Sequence, residues 1–170
     1  GGYCNIEHAS RIIPESVDLK IAADSGYATA EKLGVKPDIT MGDFDSYKGQ
    51  LPSDMDTLRV ACEKDVTDTM LACEYAKDKG CRYITIIGGT GGRIDHSISN
   101  VFYLEDLRRQ GIRVKLTDGE NTVQVLIDET VTIPASGGYF SVFALDKCTV
   151  TESGCKYPLS RAVLERQRPY

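Results

Sequence analysis

An α/β fold is predicted: a parallel-sheet, three-layer N-terminal domain followed by a C-terminal antiparallel β-sandwich. Two observations point to it. Up to about residue 111, apolar strand-like runs alternate with helical patterns, and glycine marks the switches. From residue 113 the helical patterns stop and short strand-like runs follow one another, separated by turn residues.

In the first half, residues 19–23 read as a strand, and Asp24-Ser25-Gly26 turns the chain into a helix that runs through Leu33. Gly34 suits the left-handed position that ends a helix, and Pro37 stops its continuation. Residues 39–41 are a short buried strand leading into Gly42-Asp43, and residues 57–61 form another. Thr67 sits where a helix cap belongs, with Met70, Leu71, Cys73 and Ala76 as apolar positions before Gly80. The β-branched run at residues 82–87 reads as a central parallel strand. Ile94, Ile98, Val101, Phe102 and Leu107 have helical spacing, closed by Gly111. In the second half, strands are expected at residues 114–117, 123–127, 131–133, 139–144 and 149–151. The boundary is placed near residue 112, giving domains 1–112 and 113–170.

A chain of 170 residues buries about 70% of its unfolded surface and needs no staple to fold. Twenty-five acids against 20 bases give a net charge of −5, without the basic surplus or stripe of a nucleic-acid binder. No apolar run approaches the ~18 residues of a membrane-spanning helix. The six cysteines form no Cys-x-x-Cys pair, and His8 and His96 stand far from them, which argues against zinc. Reduced, mostly buried thiols in a cytoplasmic protein are expected. The Gly-Gly start and the Arg168-Pro169-Tyr170 end are expected to be interior points of a longer chain.

Ligands of an open parallel sheet gather outside the carboxyl ends of its strands. Four strands here are followed by polar connections: Asp24-Ser25-Gly26, Gly42-Asp43-Phe44-Asp45-Ser46, Lys64-Asp65-Val66-Thr67-Asp68, and Gly88-Gly89-Thr90-Gly91-Gly92-Arg93-Ile94-Asp95-His96. In extended chain, Asp43 and Asp45 project to one side and Phe44 to the other. Two carboxylates ~5 Å apart repel by about 3 kcal/mol at an effective dielectric of 20, so the pair calls for a cation. Magnesium fits, since it takes one or two carboxylates and fills its shell with water and phosphate oxygens. A solvated acidic turn is the plain alternative.

Asp65 and Asp68 are explained by the dipole of the helix that Thr67 caps, unless they lie beside Asp43 and Asp45. Lys64 can touch a phosphate, although a surface charge is its default. Four glycines in residues 88–92 let backbone amides approach phosphate at a helix start, and the Arg93 fork matches phosphate geometry. The spacing is neither a Rossmann fingerprint nor a Walker loop. Capping accounts for Asp95 and His96 taken alone.

Together with Pro37-Asp38 and Gly154-Cys155-Lys156-Tyr157-Pro158-Leu159, these motifs resemble the thiamine pyrophosphokinase family, the bacterial type in particular. Each motif is ordinary; their order across nearly the whole chain is specific. The resemblance implies an N-terminal nucleotide-binding domain, a C-terminal thiamine-binding β domain, and a homodimer with thiamine at its interface. It implies transfer of pyrophosphate from ATP to the thiamine hydroxyl, leaving AMP. Asp43, Asp45 and Asp68 would hold Mg2+ with Asp65 beside them, and Arg93 would assist the chemistry. Asp24, Ser25, Lys64, Thr67, Gly88, Gly89, Thr90, Gly91, Gly92 and Arg93 would line ATP, and Asp95 and His96 would face the thiamine side. Family members also carry a strand ahead of Gly1-Gly2 and a Ser-Asn-Glu-Phe-like segment past Tyr170, both absent from this sequence. Two rivals stand beside this reading. One is a magnesium-dependent haloacid-dehalogenase-like phosphatase, whose Asp-x-Asp follows the first strand; the other is a non-catalytic nucleotide-binding module.

Overall fold

Asn5 opens the first helix, α1 (Ile6–Ile12), by accepting the His8 amide on its side chain at 3.2 Å. That bond satisfies one of the donors a helix start leaves open. This helix is additional to the elements expected from the sequence. The computed structural model describes residues 2–14, 16–42, 44, 49, 52, 55–59, 66–134 and 138–167. By packing, the chain divides into two units, Gly1–Thr130 and Val131–Tyr170.

In the first unit, β1 (Ile21–Ala23), β2 (Ile39–Gly42) and β3 (Thr57–Arg59) pair in parallel in that order. Parallel neighbours need a crossover, and α2 (Gly26–Lys32) supplies it between β1 and β2. Gly34 follows α2 at φ 67, the left-handed stop expected of it. α3 (Asp68–Asp78) begins under the Thr67 cap, whose Oγ1 accepts the Met70 amide at 3.2 Å. It packs on β1 and β2.

The next strands depart from expectation. β4 (Tyr83–Ile87) and β5 (Arg113–Thr117) pair in parallel from Tyr83↔Arg113 to Ile87↔Thr117. β6 (Thr122–Gln124) then returns antiparallel on β5. The antiparallel pairing expected from residue 113 onward does not hold for β5, because α4 (Ile94–Arg109) intervenes between it and β4. Its 16 residues span about 24 Å, enough to carry the chain back and start β5 alongside β4. β4, read as a central strand, lies at the edge of this described three-stranded sheet.

The core sits where α4 covers β5, with Cys73 of the neighbouring α3 joining it. Cys73, Leu104, Leu107, Ile112, Val114 and Leu116 are buried there, with Ile84, Ile86, Val101 and Val123 packed against them. Burial pushes the Cys73 thiol up to about 12, with Glu74 adding to the shift. Cys73 alone is fully buried among the five described cysteines, and Cys148 is exposed, so most thiols are not the core residues expected. Leu107 is fully buried. Leu107→Ala should therefore cost about 2–5 kcal/mol in a denaturant titration, through lost transfer energy and the cavity left behind.

Two polar struts brace α4. Glu129 accepts both Nε and Nη2 of Arg108, at 3.1 and 2.9 Å, and lies 3.1 Å from Arg113 on β5. The Tyr103 hydroxyl donates to Glu74 at 2.7 Å, which ties α4 to α3. No described helix is long and apolar enough to cross a membrane.

In the second unit, β7 (Cys148–Glu152) and β8 (Leu159–Leu164) form an antiparallel hairpin with a register shift between Val150 and Glu152. The strands expected at residues 131–133 and 139–144 are not formed there. A strand needs a neighbouring edge to satisfy its backbone, and these segments are paired with none of the described strands.

Candidate functional site

Parallel pairing brings Ala23, Gly42 and Arg59 to one rim of the first sheet, and Ile87 and Thr117 to the carboxyl rim of the second. Directly after β1, Asp24 takes a left-handed φ of 47 and donates its amide to the Met41 carbonyl at 2.7 Å. The two strand ends are stitched together at this point. Gly42 answers with φ 139, and a Cβ there would lie 3.2 Å from the Cα, Cβ and N of Asp24. Only glycine fits both demands.

Phe44 is also left-handed, at φ 61. Left-handed backbone is costly for an aromatic residue and persists where the surroundings impose it, often at functional sites. It also overturns the premise that an extended chain at Phe44 aligns its two neighbours. Asp43 and Asp45 themselves, with Lys64 and Asp65, lie outside the described residues. Asp68 is the first residue of α3, the helix that packs on β1 and β2.

The glycine loop is held from several sides. The Gly88 amide donates to Thr117 O at 2.9 Å, and Gly2 N donates to Gly88 O at 2.9 Å. Tyr3 forms an antiparallel bridge with Thr90. The Gly91 amide donates to Ser97 Oγ at 3.0 Å. Gly88, Gly91 and Gly92 all have positive φ, from 68 to 80. A Cβ at Gly91 would meet Tyr3 Cβ at 2.6 Å, so glycine is required there by space as well. A Cβ at Gly88 would stand 4.0 Å from Thr29 Cγ2, which places the loop beside α2, the helix that Asp24 and Ser25 introduce.

α4 begins at Arg93, whose side chain makes no cap bond, while the Asp95 carboxylate takes the His96 amide in the first turn. A helix start favours an anion. The Arg93 guanidinium meets Asp95 as a fork, Nε to Oδ1 at 3.2 Å and Nη2 to Oδ2. The bond to Arg93 holds the Asp95 carboxyl below its ordinary range, and the same bond raises Arg93. Both side chains are exposed, at 71% and 60%. Asp95, expected as a capping residue, takes the His96 amide and is in addition the partner of Arg93, and the His96 side chain is exposed.

Two buried polar residues escaped the sequence reading. Asn100, 6% exposed, donates from Nδ2 to Gly89 O at 2.7 Å. Asp118, 7% exposed, accepts the Thr90 hydroxyl on Oδ2 at 3.3 Å. Burial would raise the Asp118 pKa, but bonds from Asn121, Glu120 and Thr90 outweigh it and leave the group lowered. A lowered carboxyl stabilises the fold above its ordinary pKa, and that contribution is lost as pH falls through the folded value. The available signal for Asn100 was a polar residue on the same helical face as Leu104 and Leu107, an arrangement core packing alone would not choose.

Beside Asp95, an open groove of about 580 Å³ runs along α4. Met70, Ile98, Phe102 and Tyr103 supply its apolar lining, with the Asp106 carboxylate at its other acidic position.

These features define a class, an α/β protein whose polar turns and glycine loop stand at the carboxyl ends of parallel strands. The family model described as thiamin pyrophosphokinase, catalytic domain, matches residues 11–116. The chain is 32% identical over 151 residues to the thiamine pyrophosphokinase of Bacillus subtilis strain 168, covering 84% of this chain and 71% of that protein. The crystal structure of thiamine pyrophosphokinase from Bacillus subtilis superposes with a TM-score of 0.71 at 25% identity, covering 96% of this chain and 82% of that one. A thiamin pyrophosphokinase family protein from Enterococcus faecalis gives 0.73 at 26% identity, covering 96% and 79%. The chain belongs to the thiamin pyrophosphokinase family, whose enzymes make thiamine diphosphate from thiamine and ATP.

Proposed function

We propose that this chain transfers the pyrophosphoryl group of Mg-ATP to the primary hydroxyl of thiamine, releasing AMP, and that its rim loops hold the nucleotide. The observation that carries the reading is the juxtaposition of the Asp24 turn, the Gly42 end of β2 and the glycine loop in one unit. In the reaction the thiamine hydroxyl oxygen attacks the β-phosphorus and gives its proton to a nearby carboxylate, the bond from that phosphorus to the α–β bridging oxygen breaks, and AMP leaves with that oxygen. Chemistry of this kind asks a protein mainly for alignment and charge neutralisation.

The expected donor set of Asp43, Asp45 and Asp68, with Asp65 alongside, consists of hard carboxylate oxygens, which suit Mg2+ rather than a softer ion. Among the described residues no three His, Cys, Asp or Glu side chains form a metal-sized group. The magnesium assignment therefore rests on Asp68, placed at its helix start, together with the acids outside the described residues. When bound, the ion would offset phosphate charge on a chain that is itself net acidic.

Asp24, Ser25, Lys64 and Thr67 would line the nucleotide from the β1 and α3 side. Gly88, Gly89, Thr90, Gly91 and Gly92 would line the phosphates, with donors from loop amides other than those of Gly88 and Gly91, which are bonded to Thr117 O and Ser97 Oγ, and Arg93 would leave Asp95 for a phosphate oxygen. The groove beside Asp95 pairs apolar walls with two carboxylates, which suits a flat aromatic cation, so thiamine is placed on the Asp95 and His96 side. We assign domains at 1–112 for the nucleotide and 113–170 for thiamine, although packing divides the chain after Thr130. A homodimer with thiamine at its interface is part of the proposal, as is a cytoplasmic location, where unpaired thiols persist.

The test is to incubate the chain with ATP, MgCl2 and thiamine and to separate the products. AMP and thiamine diphosphate in equal amounts are expected. Inorganic phosphate without AMP would instead mark a phosphatase, and ATP binding without turnover a sensor module.

A further inference from the structure

We propose that Asp118 is a positioning residue that locks the glycine loop to the end of β5, so that the loop presents its donors to ATP in one arrangement. The proposal rests on reading residues 88–92 as the phosphate loop. Asp118 follows β5 directly, and β5 lies parallel to β4, so its carboxylate and the loop after β4 leave the sheet side by side. One oxygen, Oδ1, accepts the amides of Glu120 and Asn121 at 2.9 and 2.7 Å and closes the turn. The other, Oδ2, accepts Asn121 Nδ2 at 3.1 Å and reaches out to Thr90 Oγ1 at 3.3 Å. One oxygen thus builds the turn, and the other carries the link to the loop.

The turn is itself anchored. Asp118 O accepts the Asn5 amide at 2.7 Å, and Glu120 accepts Asn5 Nδ2 at 2.8 Å. A Cβ at Gly119, which has φ 94, would come within 2.6 Å of Asn5 O, so the segment fits closely against the start of α1. Tyr3, two residues before Asn5, makes the bridge to Thr90. The loop is therefore held at Thr90 through backbone by Tyr3 and through side chain by Asp118. Both supports converge on one residue in the middle of a run of glycines, where nothing intrinsic selects a single conformation.

A double-mutant cycle tests the link: Thr90→Val, Asp118→Ala and the double variant, each measured for KM of MgATP, KM of thiamine, kcat and thermal midpoint. Each single variant should raise KM for MgATP about fivefold to tenfold, the effect of losing one positioned hydrogen bond. In Asp118→Ala the thiamine KM and kcat should change by less than about twofold. The double variant should be no worse than the worse single, because both remove one link. Effects on the MgATP KM that multiply, or an Asp118→Ala variant altered only in thermal midpoint, would overturn the proposal. Should Asp118→Ala fail to fold, Thr90→Val, which leaves the turn around Asp118 intact, decides the matter: an unchanged KM for MgATP in that variant overturns the proposal. Gly91→Ala serves as the benchmark for the loop. If it raises KM for MgATP while the Asp118 variants do not, the positioning role alone falls. If Gly91→Ala also leaves that KM unchanged, the phosphate-loop reading falls with it.

Discussion

Asp43→Asn and Asp45→Asn are each expected to lower turnover by about a thousandfold or more, with the thermal midpoint moved by no more than a few degrees. An amide keeps the size of the side chain and one carbonyl oxygen but removes the negative charge. A site that must hold magnesium against a polyphosphate loses more from that change than a surface turn would. Steady-state AMP release measured beside a thermal melt distinguishes the two. Turnover near the wild-type value in either variant would remove the metal assignment and leave an acidic turn.

Arg93→Ala is the second large effect, a fall of about a hundredfold in kcat/KM for MgATP with little change in stability. The Arg93–Asp95 pair is open to water, at 71% and 60% exposure, and exposed ion pairs contribute little to folding. What the variant removes is a planar donor fork next to a helix start, and a phosphate would use both. Arg93→Lys should recover only part of the loss, because an ammonium cannot offer two parallel bonds. Initial rates over a range of MgATP concentrations measure both variants. A stability loss with unchanged kcat/KM would make the pair structural.

Local chemistry in the sequence was read most successfully at element ends. Gly34, Gly80 and Gly111 each stand at positive φ after a helix, and Thr67 caps α3, because a stop or a cap depends on a few adjacent residues. Pairing was harder to read. Residues 113–117 have the same pattern whether their neighbour is parallel or antiparallel, and the choice was made by α4, far from them in sequence. Residues 131–133 and 139–144 look like strands because they are apolar and β-branched or aromatic, yet a strand also needs a partner edge. α1 was overlooked because seven residues are too few for a clear apolar period, although Asn5 marked its start.

The candidate site divides in the same way. The glycine loop, Arg93 and the Asp24 turn were visible as motifs. Asn100 and Asp118 were not, because their roles lie in contacts with residues 11 and 28 positions away. The relation between Asp43 and Asp45 was inferred from extended geometry, which the left-handed Phe44 between them does not obey.

Calorimetric titration with ATP, with and without Mg2+, reports most directly on whether a divalent ion is needed to seat a nucleotide on this acidic rim. Binding should appear only with Mg2+ in the wild-type chain and should vanish in Asp45→Asn. ATP binding to the wild-type chain with the same affinity with and without Mg2+, unchanged in Asp45→Asn, would mean that the carboxylates do not hold an ion at all.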